Sequence, residues 1–326
     1  MNYDGATGFL VGEAHKGMRA MFTMMNEARL GVGLQGYAQG VVAYENALGF
    51  AKERQQGRAV TGAQMPDAPA DTIMVHPDVR RNLMDQKSIT EGARAFVFWG
   101  ASLIDQAHRS QDKQAEGLIS LLTPVIKGFL TDKGFETANN SMQVYGGHGY
   151  VREWGMEQFV RDSRINQVYE GANGVQALDL VGRKMTMKGG RATLAFFGEV
   201  ERVIKECEAD AELAFLVEPL KAAYGHAGEA AGWLMENGPK NPDNAGAGSY
   251  DVLTMYGILS LGIMWAQMAK VANAKLAAGA ENPDFYKRKL TCAKYWAERE
   301  LPMTSVLLAR VKAGADTIME LDAASF

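Results

Sequence analysis

The feature that most constrains this chain is the spacing of its apolar residues, which is helical almost from end to end. Leu30, Leu34, Tyr37, Val41, Tyr44 and Leu48 step by four and three, which builds one apolar stripe. Gly57 ends that helix, and the segment from Gly62 to Asp71, with Pro66 and Pro69 inside it, is a loop. Pro77 suits the first turn of a second long helix over roughly 78–109, with Val79, Leu83, Ala93, Val97 and Ile104 on its core face. A third pattern begins near Lys113, and Pro124 is expected to kink or break it. It resumes through Phe135, Ala138, Met142 and Tyr145 and stops at Gly146-Gly147. A fourth starts at the stretch QVYEGANG, residues 167–174, and runs through Val175, Leu178 and Val181.

No stretch of useful length alternates with the period of a strand. Long helices joined by short or medium connections point to an antiparallel bundle. Lys188-Gly189-Gly190 then marks a boundary, followed by helical patterns over about 192–208, 211–237, 250–279 and 284–320. A polar loop, Gly238 to Ser249, divides them. The expected fold class is therefore all-α, a four-helix up-down bundle over 29–188 followed by a second helical bundle domain over 190–326.

Composition narrows the function classes. A chain of 326 residues can bury a substantial core and fits two domains. A net charge of -4 argues against a nucleic-acid or anionic membrane surface as the main partner. Cys207 and Cys292 are far apart, in no CxxC spacing, and read as buried thiols of a reduced cytosol, with a disulfide as the alternative; a cytoplasmic location is the corresponding expectation. Between Asp251 and Lys270 no charge interrupts a segment just long enough to cross a bilayer. Thr254, Ser260, Gln267 and two glycines dilute it, so a central helix of an all-helical domain explains it better than a membrane span. No HExxH, CxxC or paired carboxylate cluster suggests a metal site, and the 18 methionines read as gap-fillers among helices.

Four short elements carry chemistry. The first is Gln143-Val144-Tyr145-Gly146-Gly147-His148-Gly149-Tyr150. The second, after Arg161-Asp162-Ser163-Arg164-Ile165, is Tyr169-Glu170-Gly171. The third is Ala51-Lys52-Glu53-Arg54-Gln55-Gln56-Gly57, and the fourth is Gly8-Phe9-Leu10-Val11-Gly12 followed by Lys16-Gly17 and Arg29. On residue chemistry alone Glu170 is either a base or a helix cap. Gly146-Gly147 is either a helix C-cap or a surface that a ligand approaches closely, and both readings use the missing Cβ. Arg54 is either a phosphate ligand or a surface charge. His148 has no acid or nucleophile at meaningful spacing and reads as a turn residue.

In this order and spacing the four elements resemble the C-terminal half of an acyl-CoA dehydrogenase, over roughly residues 5–187. Residues 190–326 resemble the additional helical domain of a longer-chain branch that includes the 3-methylmercaptopropionyl-CoA dehydrogenases. The resemblance implies FAD as cofactor and an acyl-CoA substrate whose Cα proton goes to Glu170 while the Cβ hydride goes to flavin N5. It implies that the Glu170 amide holds the thioester carbonyl, with Tyr169 and Gly171 beside the substrate and Arg29 near the CoA arm. Arg54, Gln143, Gly146 and Gly147 are implied FAD contacts, Arg54 reaching the pyrophosphate of a neighbouring subunit's cofactor. Where the family has a threonine after Glu-Gly this chain has Ala172, so the hydroxyl contact to flavin is lost unless Asn173 substitutes. The aromatic residue before the glycine of the arginine motif is also missing, since the chain reads Arg54-Gln55-Gln56-Gly57.

The resemblance further implies an electron-transfer flavoprotein as acceptor and a homodimer or homotetramer. Residues 1–28 read as a remnant of the family's central β-domain and linker, so the chain is expected to be a C-terminal piece that folds without catalysing desaturation alone. Three other functions stand beside this one: an acyl-CoA oxidase, a non-catalytic oligomerisation module, and a DNA-associated flavoprotein, the last disfavoured by the acidic balance.

Overall fold

A computed structural model describes residues 1–326, and its regular elements are all helical, with one isolated bridge between Gln55 and Thr72 as its only β pairing. The first bundle is built on α1 (Gly17–Glu53), α2 (Pro77–Arg109) and α3 (Lys113–Tyr145). Helix α1 starts earlier than the stripe from Leu30 implies, because residues 17–28 continue it with mostly exposed side chains. Pro77 opens α2 as expected, and the Asp112 carboxylate caps α3 by accepting from the amides of Gln114 and Ala115 at 2.8 and 3.2 Å.

Pro124 neither breaks nor ends α3. It sits in a stretch, residues 121–131, that is buried on every side, so packing from all directions outweighs one missing hydrogen bond. Helices α1 and α3 cross at very close range through glycines: a Cβ on Gly134 would lie 2.2 Å from the Gly36 carbonyl oxygen. Such an approach is open only to residues without side chains.

The fourth position of the bundle is filled by short pieces. These are α4 (Gly147–Tyr150), α5 (Met156–Arg164) and α6 (Asn173–Asp179), the last continuing into a π-turn over Leu180–Lys184. Lys188, Gly189 and Gly190 then all take positive φ, which turns the chain at the expected boundary. Beyond it come α7 (Met187–Glu208), α8 (Ala214–Asn237), α9 (Pro242–Ala277), α10 (Pro283–Arg299), α11 (Met303–Ala313) and the short α12 (Asp316–Met319).

The polar stretch expected as a loop up to Ser249 is helical from Pro242 onward. Asn241 caps it by accepting from the Asp243 amide at 3.1 Å, and Pro242 occupies the first helical position. Gly248 faces inward, where a Cβ would sit 3.3 Å from Val311, while Gly246 faces open space. Helix α9 is long and apolar enough to cross a membrane by length and composition, and 83% of its most apolar window is buried inside the protein. Both cysteines are free and buried.

The two helical units share one core. A single cluster of 52 buried residues runs from Phe96 on α2 and Phe129 on α3 to Tyr256 and Trp265 on α9 and Trp296 on α10. Trp265 anchors the junction by donating its indole N–H to the Ser88 carbonyl at 3.1 Å. A separate cluster of ten, including Tyr44, Leu83, Tyr145 and Met156, fills the far end of the first bundle.

Candidate active site

The sequence-derived residues fall into two groups at different places along α1. The first group lies where α1 and α3 end. Arg54, Gln143, Gly146 and Gly147 line one cavity of about 840 Å³ together with Phe50, His76 and His148. Gly146 has φ 59°, and a Cβ on either Gly146 or Gly147 would meet nothing within 4 Å, so both present bare backbone to open space. Arg54 and Gln143 make no side-chain hydrogen bond or ion pair within the protein, which leaves a guanidinium and an amide directed at the cavity.

Phe50 and Tyr145 stack at 4.1 Å between ring centroids, with Trp154 set edge-on to both and His148 edge-on to Trp154, and a second hollow of about 650 Å³ shares Phe50, Arg54, Tyr145 and His148 with the first. The loop between Gly57 and Ile73, both of which line the cavity, is held by Asp71. Its buried carboxylate accepts from the amides of Ala59, Gln64 and Met65 at 2.9, 2.9 and 2.7 Å. Those amides, that of Ala59 foremost, and Arg58 hold its pKa down at about 2 against the opposing effect of burial. An arginine fork, an amide and a glycine turn are donors suited to phosphate oxygens and a flat ring system, so these residues fit the ADP portion of FAD.

The second group surrounds Glu170. Glu170 and Gly171 take successive positive φ values, 55° and 85°, so the backbone reverses between the 3-10 turn Ile165–Gln167 and α6. Their carbonyls point into the protein. The Glu170 carbonyl accepts from Arg29 Nε and Gln176 Nε2, each at 3.4 Å. The Gly171 carbonyl accepts from Lys127 Nζ at 2.7 Å. Neither amide N–H of Glu170 or Gly171 has an acceptor within the protein. The Glu170 Oε2 atom is buried and has no hydrogen-bond partner. Tyr169 is exposed, and its hydroxyl donates to the Gln35 side chain on α1.

Three expectations need correction or refinement. Asn173 does not take the place of the missing hydroxyl at a cofactor. It is buried, with Oδ1 accepting from Lys127 at 2.7 Å and Nδ2 donating to Asp132 at 2.7 Å and to the Gly128 carbonyl at 3.0 Å. Its polar atoms are thus occupied from inside. Ala172 stands exposed at the N-terminus of α6 with no side-chain donor or acceptor. Arg29 is buried, held between the Glu170 carbonyl and Asp179 at 3.8 Å with Phe22 beneath it, so it braces the loop rather than offering a free cation to a CoA arm.

Lys127, Asp132, Gln176 and Tyr250 were missed from sequence. Lys127 is fully buried, and burial brings its pKa down to about 8, with Arg29 adding to the shift and Asp132 and Glu170 opposing it. One signal was available, since Lys127 is the single charge between Glu116 and Asp132 in an otherwise apolar helical run.

The fold is an all-α assembly of two helical units, of the type that forms the C-terminal part of acyl-CoA dehydrogenases. Residues 15–186 match the family model described as "Acyl-CoA dehydrogenase, C-terminal domain", and residues 196–322 match "Acetyl-CoA dehydrogenase C-terminal like". The chain belongs to the acyl-CoA dehydrogenase family. It is 36% identical over 324 residues to the 3-methylmercaptopropionyl-CoA dehydrogenase of Ruegeria pomeroyi, covering 98% of this chain and 54% of that one. It is 34% identical to a broad-specificity linear acyl-CoA dehydrogenase of Mycobacterium tuberculosis, covering 98% of this chain and 55% of the relative. The chain therefore spans about half the length of the curated relatives it matches. Among solved structures, ACDH-11 of Caenorhabditis elegans in complex with C11-CoA shares the fold with a TM-score of 0.76 at 17% identity, over 96% of this chain and 50% of that one. An acyl-CoA dehydrogenase complexed with FAD from Bacillus anthracis does so with a TM-score of 0.73 at 19% identity, over 92% and 50%.

Proposed function

We propose that this chain supplies the proton-abstracting base and part of the cofactor site of an FAD-dependent dehydrogenase that desaturates an acyl-CoA thioester. The observation that carries this reading is the buried, unpartnered Oε2 of Glu170 on a left-handed turn whose own amide N–H is also free. A buried carboxylate oxygen without a partner is costly in a resting protein and is explained by a ligand that approaches it. The names of the relatives in Ruegeria and Mycobacterium support an acyl-CoA as that ligand.

In this reading the Glu170 carboxylate takes the α-proton, and the free amide N–H faces the thioester carbonyl, where negative charge grows as the proton leaves. Bound FAD supplies the acceptor for the β-hydride. Arg54, Gln143 and the Gly146-Gly147 backbone are the residues that would hold part of that cofactor.

The spacing of the two groups bears on assembly. Arg29 stands on α1 and Arg54 directly follows its last residue, 25 positions further on, so the groups are separated by roughly 37 Å at 1.5 Å per residue. One cofactor does not bridge that distance, and we infer that the base of one copy works with FAD held partly by Arg54 of another. A homodimer or homotetramer is the corresponding assembly, with an electron-transfer flavoprotein as the acceptor of the reduced cofactor.

The test is exchange of the α-protons of an acyl-CoA in deuterated water, with the chain supplied with FAD. Exchange requires the base and the grip on the thioester but no electron transfer, so it reads Glu170 directly. Glu170→Gln is expected to slow exchange by about 10²- to 10⁴-fold, the usual contribution of a positioned base. Equal exchange in both proteins rejects the assignment.

A further inference from the structure

The C-terminal helical unit touches the Glu170 loop through one continuous chain of hydrogen bonds. It starts at Tyr250 on α9, whose hydroxyl donates to Asp132 Oδ2 at 2.5 Å. Asp132 Oδ1 accepts from Asn173 Nδ2 at 2.7 Å and from Gln167 Nε2 at 2.8 Å. Asn173 Oδ1 accepts from Lys127 Nζ at 2.7 Å, and the same ammonium donates to the Gly171 carbonyl at 2.7 Å.

The orientation of the Asn173 amide follows from its neighbours. Lys127 can only donate and ionised Asp132 can only accept, so Oδ1 faces the lysine and Nδ2 the aspartate. Asn173 is therefore the piece that joins a buried cation to a half-buried anion without their touching. Burial raises the pKa of Asp132, and the hydrogen bonds from Tyr250, Asn173 and Gln167 oppose that rise. Lys127, Asn173 and Thr131, which also bonds Asn173 at 2.9 Å, are all buried, so the network is shielded from water along most of its length.

We propose that the C-terminal helical unit sets the position of the Glu170-Gly171 backbone through Tyr250, Asp132, Asn173 and Lys127, which makes these four residues positioning residues for the base. The inference rests on Glu170 being that base. It gives the unit beyond Gly190 a part in catalysis although no residue of it reaches the Glu170 carboxylate. The physical requirement is plain. Glu170 stands in a conformation that L-residues adopt at a cost, and a turn of this kind persists only when its surroundings over-determine it. Two cations and one amide grip its two carbonyls from inside, and the grip of Lys127 is held in place from α9.

The deciding variant is Tyr250→Phe, which removes one hydroxyl from a partly exposed ring and leaves its packing. The measurement uses the 15N-labelled chain with FAD present. In the wild type the amide order parameters of Glu170 and Gly171 are expected in the rigid range of about 0.85, falling toward about 0.6 in the variant. Order parameters elsewhere in α9 should hold. At saturating acyl-CoA the α-proton exchange rate should drop about tenfold, as for the loss of one hydrogen bond to a charged group, with the half-saturating concentration unchanged. A general loss of packing would move both quantities and loosen α9 as well. Unchanged order parameters at Glu170 and Gly171, or loosening spread along α9, would overturn the proposal. The amide measurement does not depend on what Glu170 does. If Glu170→Gln retains full exchange, the base assignment falls, and the order parameters still decide whether α9 holds the loop.

Discussion

Lys127 shows how a single side chain can be decisive and still look ordinary in sequence. Its ammonium lies among buried groups, and its pKa is lowered from the usual 10.5 to about 8. The sign of the consequence follows by linkage. Between about pH 8 and 10.5 the unfolded chain binds the proton that the folded chain has released, so this group's contribution to stability rises with pH across that window. Cys207 and Cys292, whose pKa values burial pushes up to about 11, act in the opposite direction above pH 9, so the comparison must be made against a variant. The urea midpoint of the wild type relative to Lys127→Met is expected to increase from pH 8 to pH 10; a flat difference would mean that the lysine is not desolvated. Residues whose role depends on neighbours in sequence, such as Gly146-Gly147 after a helical stripe, were legible. Lys127 was not, because its partners Gly171 and Asn173 lie 44 and 46 residues away.

At the scale of elements, the crossing of α1 and α3 decides where both site groups stand, since each group draws residues from these two helices. The crossing depends on missing side chains. A Cβ on Gly134 would lie 2.2 Å from the Gly36 carbonyl oxygen and 2.6 Å from its carbonyl carbon, with backbone on both sides and no flexible end to yield. Gly134→Ala is expected to destabilise by about 3 kcal/mol or more through overpacking. Gly31 lies on the exposed side of α1 with nothing within 4 Å of a built Cβ. Gly31→Ala should therefore stabilise by about 0.8–1 kcal/mol through helix propensity alone. Urea unfolding of the two variants checks both signs, and two destabilisations of similar size would contradict the crossing. Apolar periodicity located α1, α2 and α3 correctly but assigned Pro124 too much influence and Gly238–Ser249 too little order. Both errors have one cause. Local propensity was outweighed by burial, around Pro124 on all sides and at Gly248 against Val311.

At the scale of the whole molecule, two sequence families meet in one core. A Cβ on Gly257 of α9 would fall 2.2 Å from the Phe129 ring of α3, and one on Gly128 of α3 would fall 2.9 Å from Leu253 of α9. Contacts so close leave no separable interface between the units. Urea unfolding is therefore expected as one transition, with tryptophan fluorescence and far-ultraviolet circular dichroism coinciding. Two resolved transitions would indicate independent domains. The same shared core is what lets Tyr250 reach Asp132, a pair separated by 118 residues.

The sequence by itself determined the all-α class, the three long helices of the first bundle and the short motifs around Arg54, Gln143, Gly146-Gly147 and Glu170. Those follow from periodicity, punctuation by glycine and proline, and residue order, all of which act over a few neighbouring positions. Tertiary structure alone decided that Asn173 and Arg29 face inward, that the Arg54 and Glu170 groups stand far apart along the first bundle, and that Tyr250 of α9 joins the hydrogen bonds leading to the Glu170-Gly171 turn. The reason is physical. A hydrogen-bond partner or a buried charge is chosen by what the fold brings within 3 Å, and periodicity along one helix carries no information about the helix that will lie against it.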